Sequence, residues 1–67
     1  MDITLNNQTH TITESLTLLD FVFSQIGEKQ NGIAVALNNN VIPKQNWQTT
    51  QLNSNDNILI IKATQGG

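Results

Sequence analysis

Apolar and polar residues alternate along the first dozen positions, which predicts two β-strands. Ile3 and Leu5 are separated by polar residues, and the alternation resumes with His10 and Ile12 after the tripeptide Asn6-Asn7-Gln8. Asparagine tolerates the positive φ angles of tight turns, so the tripeptide is expected to reverse the chain. The start of the sequence therefore predicts a β-hairpin.

The apolar spacing then lengthens to three and four residues, which predicts a helix from about residue 18 to residue 26. The apolar positions assigned to it are Leu18, Leu19, Val22, Phe23 and Ile26. Thr17 and Asp20 form a capping-box pattern at its start, with Asp in place of the usual Glu, and Gly27 suits the left-handed position that closes a helix. We expect Phe23 to belong to the stripe that the helix buries.

The second half of the chain contains three further β-favouring segments separated by turns. Asn31-Gly32 predicts a turn before a strand at residues 33–37, and residues 38–40 are three asparagines that predict another turn. Val41-Ile42 is a short strand that Pro43 stops. These patterns predict a second hairpin.

Trp47 follows in a segment expected to be a loop or a single helical turn, with its indole covering an edge of the core. Residues 53–56 predict a turn, and residues 57–63 predict the last strand. Four consecutive branched residues at positions 58–61 make this strand apolar on both faces, which is typical of a central strand.

The predicted order is two strands, one helix and three strands, with the last strand central. A central last strand is expected to pair with the first strand in parallel, because the helical crossover supplies the necessary reversal. This arrangement is an α+β fold, the ubiquitin-like β-grasp, with one main helix on a mixed four- or five-stranded sheet. Residues 1–63 are expected to form the single domain and residues 64–67 a flexible tail.

Composition excludes several classes of function. The chain has 67 residues, of which only 12% are charged, with three lysines and a net charge of −2. Such a chain is poorly suited to neutralise phosphates, so neither nucleic acid nor an anionic membrane is an expected partner. Cysteine is absent, which excludes disulfides and thiolate chemistry. No signal peptide or membrane span is evident, so we expect a soluble, cytoplasmic protein.

Side chains suited to catalysis are scarce. His10 is the only histidine, lies on a predicted strand and is interpreted as structural. The five carboxylates are scattered, and neither an acid-base pair nor a metal site is predicted. Gly66-Gly67 stands out instead, preceded by Thr64 and Gln65, because glycine has no Cβ and can enter a narrow channel. An extended tail of four residues reaches about 13 Å, so an enzyme could act on its carboxylate in a buried site.

Several stretches together resemble one family over essentially the whole chain. They are Ala34-Val35-Ala36-Leu37-Asn38, Val41-Ile42-Pro43-Lys44, Trp47, the turn at Asp56, the strand from Ile58, and Gly66-Gly67. The chain resembles the ThiS family, the small sulfur carriers of thiamine biosynthesis. It departs from the family at Lys44, where arginine is usual, and in the turn before the last strand, where glycine is common. We expect Asn55 to adopt the left-handed conformation there.

The resemblance implies that the chain is a co-substrate and not an enzyme. A ThiF-like adenylyltransferase would use ATP and Mg to form an acyl-adenylate at Gly67, and sulfur from a donor enzyme would displace AMP. The resulting thiocarboxylate would deliver sulfur to thiazole synthase. No cofactor is expected on this chain. Two alternatives stay open: a carrier for molybdopterin, and a non-activated β-grasp binding module or protein modifier.

Docking is expected on the sheet face that the helix leaves uncovered. If Leu59, Ile61 and residue 63 point inward, then Ile58, Ile60 and Lys62 form an outward stripe that leads to the tail. The opposite orientation would exchange the two sets. The sequence therefore predicts a partner surface at Ile58, Ile60 and Lys62.

Overall fold

A computed structural model describes residues 1–27 and 32–62 of the protein. In this part of the chain there are five strands, one α-helix and one 3₁₀ helix. The strands are β1 (Asp2–Leu5), β2 (Gln8–Thr11), β3 (Ile33–Leu37), β4 (Asn40–Val41) and β5 (Asn57–Lys62); the α-helix α1 is Leu18–Ile26 and the 3₁₀ helix is Lys44–Thr49.

The strands form one mixed sheet in the order β2-β1-β5-β3-β4. Strand β5 is central and pairs in parallel with β1, with Leu5 opposite Ile58. The other three strand pairs are antiparallel. The predicted β-grasp is confirmed, with five strands. The parallel pair follows from the long crossover through α1, because strands joined by a tight turn can pair only antiparallel.

Two asparagine pairs make the two hairpin turns. Asn6 and Asn7 have φ angles of 49° and 69°, and Asn38 and Asn39 have φ angles of 51° and 72°. A two-residue loop with positive φ at both positions matches the right-handed twist of the strands that it joins. The turns are shorter than predicted, because the third residue of each tripeptide already belongs to a strand.

Helix α1 begins and ends where the sequence predicts. The side chain of Thr17 accepts a hydrogen bond from the backbone N–H of Asp20 at 3.1 Å, which satisfies one of the free donors at the helix start. Gly27 ends the helix and donates its N–H to the carbonyl of Phe23 at 2.7 Å. Its φ of 64° is positive as predicted, but its ψ of −134° lies outside the left-handed helical region.

The buried face of α1 differs from the prediction. Leu18, Phe21 and Val22 are buried, whereas 52% of Phe23 is exposed. At about 100° per residue, Phe21 and Val22 lie about 60° and 40° to either side of Leu18, while Phe23 lies about 140° away. The assignment of Phe23 to the core is therefore wrong, and Phe21 takes that place.

The core lies between α1, the sheet and the 3₁₀ helix. Its buried members are Ile3, Leu18, Phe21, Val22, Val35, Trp47, Leu52 and Ile58. The sequence predicts a loop or a single helical turn around Trp47, and the structure has a six-residue 3₁₀ helix there with the indole buried. Nε1 of Trp47 donates to the carbonyl of Ile42 at 2.8 Å. This bond lets the indole be buried without an unpaired donor.

Candidate functional site

The candidate site is the strand that leads into the C-terminal tail, together with the surface around that strand. Strand β5 ends at Lys62, and residues 63–67 lie outside the described residues. The predicted attachment residue Gly67 and the tail residues Gly66, Gln65 and Thr64 are among them. The geometry of the site is therefore that of β5 and its neighbours.

The turn before β5 is tied to the start of β1. Asn55 has a φ of 70°, which confirms its predicted left-handed conformation, and its N–H donates to the carbonyl of Asp2 at 2.7 Å. Asparagine is one of the few residues besides glycine that adopts this conformation readily. One step further, the N–H of Thr4 donates to the carbonyl of Asp56 at 2.9 Å. These bonds place the beginning of β5 beside β1.

The buried carboxylate of Asp56 then helps to set the register of β5. Asp56 is 8% exposed; one of its oxygens accepts from the N–H of Asn53 at 2.7 Å and the other from Nδ2 of Asn38 at 3.0 Å. Oδ1 of Asn38 accepts from the N–H of Asn57 at 2.9 Å. Because these polar groups satisfy one another, a shift of β5 by one residue would leave the buried Asp56 carboxylate without its partners.

This register turns Ile58 and Ile60 toward the helix. Ile58 lies between Leu5 of β1 and Leu37 of β3 and is completely buried. Ile60 lies opposite Val35 and packs against the core. The predicted outward orientation of Ile58 and Ile60 is therefore wrong, because residues directly opposite each other in a sheet share a face. Lys62, the third predicted member, is exposed at the end of the strand.

The face of the sheet away from α1 carries an apolar surface on its other residues. We call it the outer patch; it consists of Ala34, Ala36, Val41, Leu59 and Ile61, of which Ala36 is itself buried by its neighbours. Leu59 and Val41 lie on either side of Ala36, and Ile61 lies opposite Ala34. Val41 is 68% exposed and Ile61 is 52% exposed. Since the alanines carry only a methyl group, the side chains of the patch project less far from the sheet along β3 than along β4 and β5, so the patch has a shallow groove along β3.

The rest of this face is polar, which bounds the outer patch on the β1 side. Oγ1 of Thr4 donates to Oδ1 of Asn57 at 2.9 Å, and Oγ1 of Thr11 donates to Oδ1 of Asp2 at the same distance. The apolar surface is therefore confined to β5, β3 and β4. It includes Ile61, next to the last described residue of the strand that leads to the tail.

Other candidate chemistry is limited in the described part of the chain. The ring of His10 meets the ring of Phe21 edge-on, with centroids 5.9 Å apart, in keeping with a structural histidine. Among residues 1–27 and 32–62, no three metal-ligating side chains are grouped closely enough to hold an ion. None of the helices described has the length and apolar character needed to cross a membrane.

Comparison with known proteins gives both a family and a fold. The sequence matches the model of the ThiS family over residues 2–67. A crystal structure of the thiamine biosynthesis protein (ThiS) from Geobacter metallireducens superposes with a TM-score of 0.85 at 22% identity and covers all of both chains. An NMR solution structure of a thiamine biosynthesis protein from the same organism has a TM-score of 0.80 at 22% identity, covering all of this chain and 88% of that one. These two structures show the β-grasp fold. No curated protein sequence matches the chain.

Proposed function

Since the chain belongs to the ThiS family, the small sulfur carriers of thiamine biosynthesis, we propose that the Gly67 carboxylate is the group on which it carries sulfur. The observation that carries the proposal is the family match, which extends through Gly66 and Gly67 at the end of residues 2–67. The proposed product is a C-terminal thiocarboxylate that donates its sulfur to thiazole synthase.

The proposed chemistry requires activation, because an oxygen of a free carboxylate is a poor leaving group. In a ThiF-like adenylyltransferase, an oxygen of the Gly67 carboxylate attacks the α-phosphorus of ATP and pyrophosphate leaves. Sulfide supplied by a donor enzyme then attacks the acyl carbon and AMP leaves, so the carrier gains sulfur in place of one oxygen. ATP and Mg²⁺ are bound by the activating enzyme, and this chain acts as a co-substrate.

The outer patch is the surface that we propose for docking. Its exposed members, Ile61 and Val41, would be costly to leave in water and favourable to cover with a partner. Continuity supports the same assignment, because Ile61 belongs to β5 and that strand leads directly to the tail. A partner seated on the outer patch would thus lie beside Lys62, the last described residue before the tail.

The sulfur transfer can be tested by mass spectrometry of the intact carrier. Incubation with ATP, Mg²⁺, a sulfur donor and the activating enzyme is expected to raise its mass by the difference between sulfur and oxygen. A variant that lacks Gly67 should show no gain. As a positive control, the activating enzyme should modify the carrier protein from its own organism under the same conditions. If that control works and the mass of the full-length chain stays unchanged, the proposal is contradicted. Retention of thiazole synthase on the immobilised carrier, in preference to the large molybdopterin synthase subunit, would distinguish thiamine from molybdopterin synthesis.

Docking can be tested with two matched variants. Ile61 and Phe23 are both 52% exposed, but Ile61 lies on the outer patch and Phe23 lies on α1. Ile61→Ser is expected to raise the KM of the activating enzyme for the carrier about tenfold, because it removes apolar contact area from the interface. Phe23→Ser should leave KM unchanged. Equal effects of the two variants would show that the outer patch is not the docking surface.

A further inference from the structure

Strand β5 extends beyond the end of its neighbour β1. The parallel ladder between them ends with Leu5 opposite Ile58, and the N–H of Asn6 then donates to the carbonyl of Ile58 at 2.9 Å. At Asn6, whose φ is 49°, the chain turns away into the hairpin, while β5 continues to Lys62. The last part of β5 therefore has no backbone partner on the β1 side within the described residues.

The side chain of Asn6 replaces the missing strand residue. Its Oδ1 accepts from the N–H of Ile60 at 2.9 Å, and its Nδ2 donates to the carbonyl of Ile60 at 3.5 Å. A primary amide offers one acceptor and two donors, so it can pair with both backbone groups that a neighbouring strand would have met. We call these two bonds the Asn6 clamp; the shorter one provides most of its strength.

The clamp holds β5 at a functionally important point. Ile60 lies between Leu59 and Ile61, the two members of the outer patch on β5. On the opposite edge, β3 pairs with β5 as far as Lys62 opposite Ile33. The clamp is thus the last described hold on the β1 side before the tail begins.

We propose that Asn6 is a positioning residue for the C-terminal tail. It fixes the position and direction of the last part of β5, from which the tail continues, relative to the outer patch. The inference rests on the proposed function, because the direction of the tail matters only if a partner bound to the patch acts on the terminal carboxylate.

Loss of the clamp should affect the rate of the reaction and not the binding of the partner. Residues 63–67 span at most about 17 Å, so the position of the end of β5 limits where the Gly67 carboxylate can be presented to a partner bound at the outer patch. A reacting group displaced by even about 1 Å loses much of its rate. Binding depends on the outer patch, which the clamp does not cover. Loss of the clamp should therefore lower kcat and leave KM unchanged.

Three variants separate the clamp from the turn that contains it. Asn6→Gly keeps a residue suited to positive φ and keeps the backbone donor to Ile58, but it removes the clamp. Asn7→Gly makes the same change at the other turn residue, whose φ is 69° and whose side chain takes no part in the clamp. Asn6→Asp retains an oxygen to accept from the N–H of Ile60 and serves as the conservative rescue.

Amide hydrogen exchange in the free protein tests the clamp itself. The Ile60 amide is expected to exchange about five- to tenfold faster in Asn6→Gly and at the wild-type rate in Asn7→Gly. The Ala36 amide, which points from the middle of β3 toward the central strand β5, reports global opening and corrects for any overall loss of stability. Equal exchange rates of the Ile60 amide in the two glycine variants would show that the Asn6 side chain does not hold β5.

Steady-state release of pyrophosphate by the activating enzyme tests the positioning role. Asn6→Gly is expected to lower kcat about tenfold at unchanged KM, with Asn6→Asp close to wild type and Asn7→Gly indistinguishable from it. A kcat for Asn6→Gly equal to that of Asn7→Gly, or a change confined to KM, would overturn the inference. An inactive wild-type carrier would overturn the proposed function and the role of Asn6 in it, while the exchange data would still decide whether the clamp exists.

Discussion

The orientation of β5 predicts that the same small substitution has unequal effects at Ile58 and Ile61. Ile58 is completely buried between Leu5 and Leu37, whereas Ile61 is 52% exposed on the outer patch. Ile58→Val removes one methylene group from the core and should cost about 0.5–1.5 kcal/mol of unfolding free energy. Ile61→Val removes a group already in contact with water and should cost less than about 0.5 kcal/mol.

These differences are large enough to measure in a domain of this size. A 67-residue domain typically has a free energy of unfolding of about 3–10 kcal/mol. A loss of about 1 kcal/mol should lower Tm by about 4–8 °C. Urea unfolding can be followed by the fluorescence of Trp47, because this single tryptophan is buried in the core and enters water when the chain unfolds.

If the variants share the same dependence of unfolding free energy on urea concentration, their urea midpoints rank their stabilities. Ile58→Val should unfold at a clearly lower urea concentration than Ile61→Val, and Ile60→Val, at a half-buried position, should fall between them. Equal shifts, or a larger shift for Ile61→Val, would place Ile61 in the core. The assignment of the outer patch would then be refuted.

Three further substitutions test the contacts that shape the ends of the elements. Asp56→Ala should lower the unfolding free energy by about 2–4 kcal/mol in urea melts, because the N–H of Asn53 and the amide of Asn38 lose their acceptor; an effect below about 0.5 kcal/mol would contradict this network. Asn55→Ala should cost about 1–2 kcal/mol and Asn55→Gly much less, since only alanine is strained at a φ of 70°; equal thermal shifts would argue against that conformation. Thr17→Ala should cost about 1 kcal/mol and Thr17→Ser little in thermal melts followed by circular dichroism, because only alanine loses the helix cap; an unchanged Tm for alanine would exclude the cap.

Local chemistry made most elements predictable from the sequence. Paired asparagines at the hairpins select positive φ angles, and Thr17 and Gly27 mark the ends of α1. The run of branched residues at positions 58–61 indicated a central strand, which is correct, although only the helix side of β5 is covered and the other side carries the outer patch. In each of these cases the information lies within a few neighbouring residues.

The same run concealed the orientation of β5. When residues 58–61 are all branched and apolar, neither parity is favoured by hydrophobicity, so alternation carries no information. The neighbouring strand β3 held a usable indication, because its larger residues at 33, 35 and 37 alternate with Ala34 and Ala36 and only the larger set fills the core. The pairing of β3 with β5, which the sequence alone does not supply, is needed to transfer that information.

Two aromatic residues on α1 show the same limit. Phe21 and Phe23 are equally hydrophobic, and a nine-residue helix gives the apolar stripe a broad range of possible centres. The sheet and Trp47 determine which side of the helix is covered, and this buries Phe21 and exposes Phe23.

By itself, the sequence determined the succession of strands and helix, their turns, and the two glycines on which the proposed chemistry depends. Those features arise from backbone preferences and short-range spacing. Tertiary structure alone decided which side of β5 faces the helix, and hence that Leu59 and Ile61 form the outer patch. It also brought Asn6 beside Ile60, because contacts between residues distant in the chain depend on strand register, which no local pattern encodes.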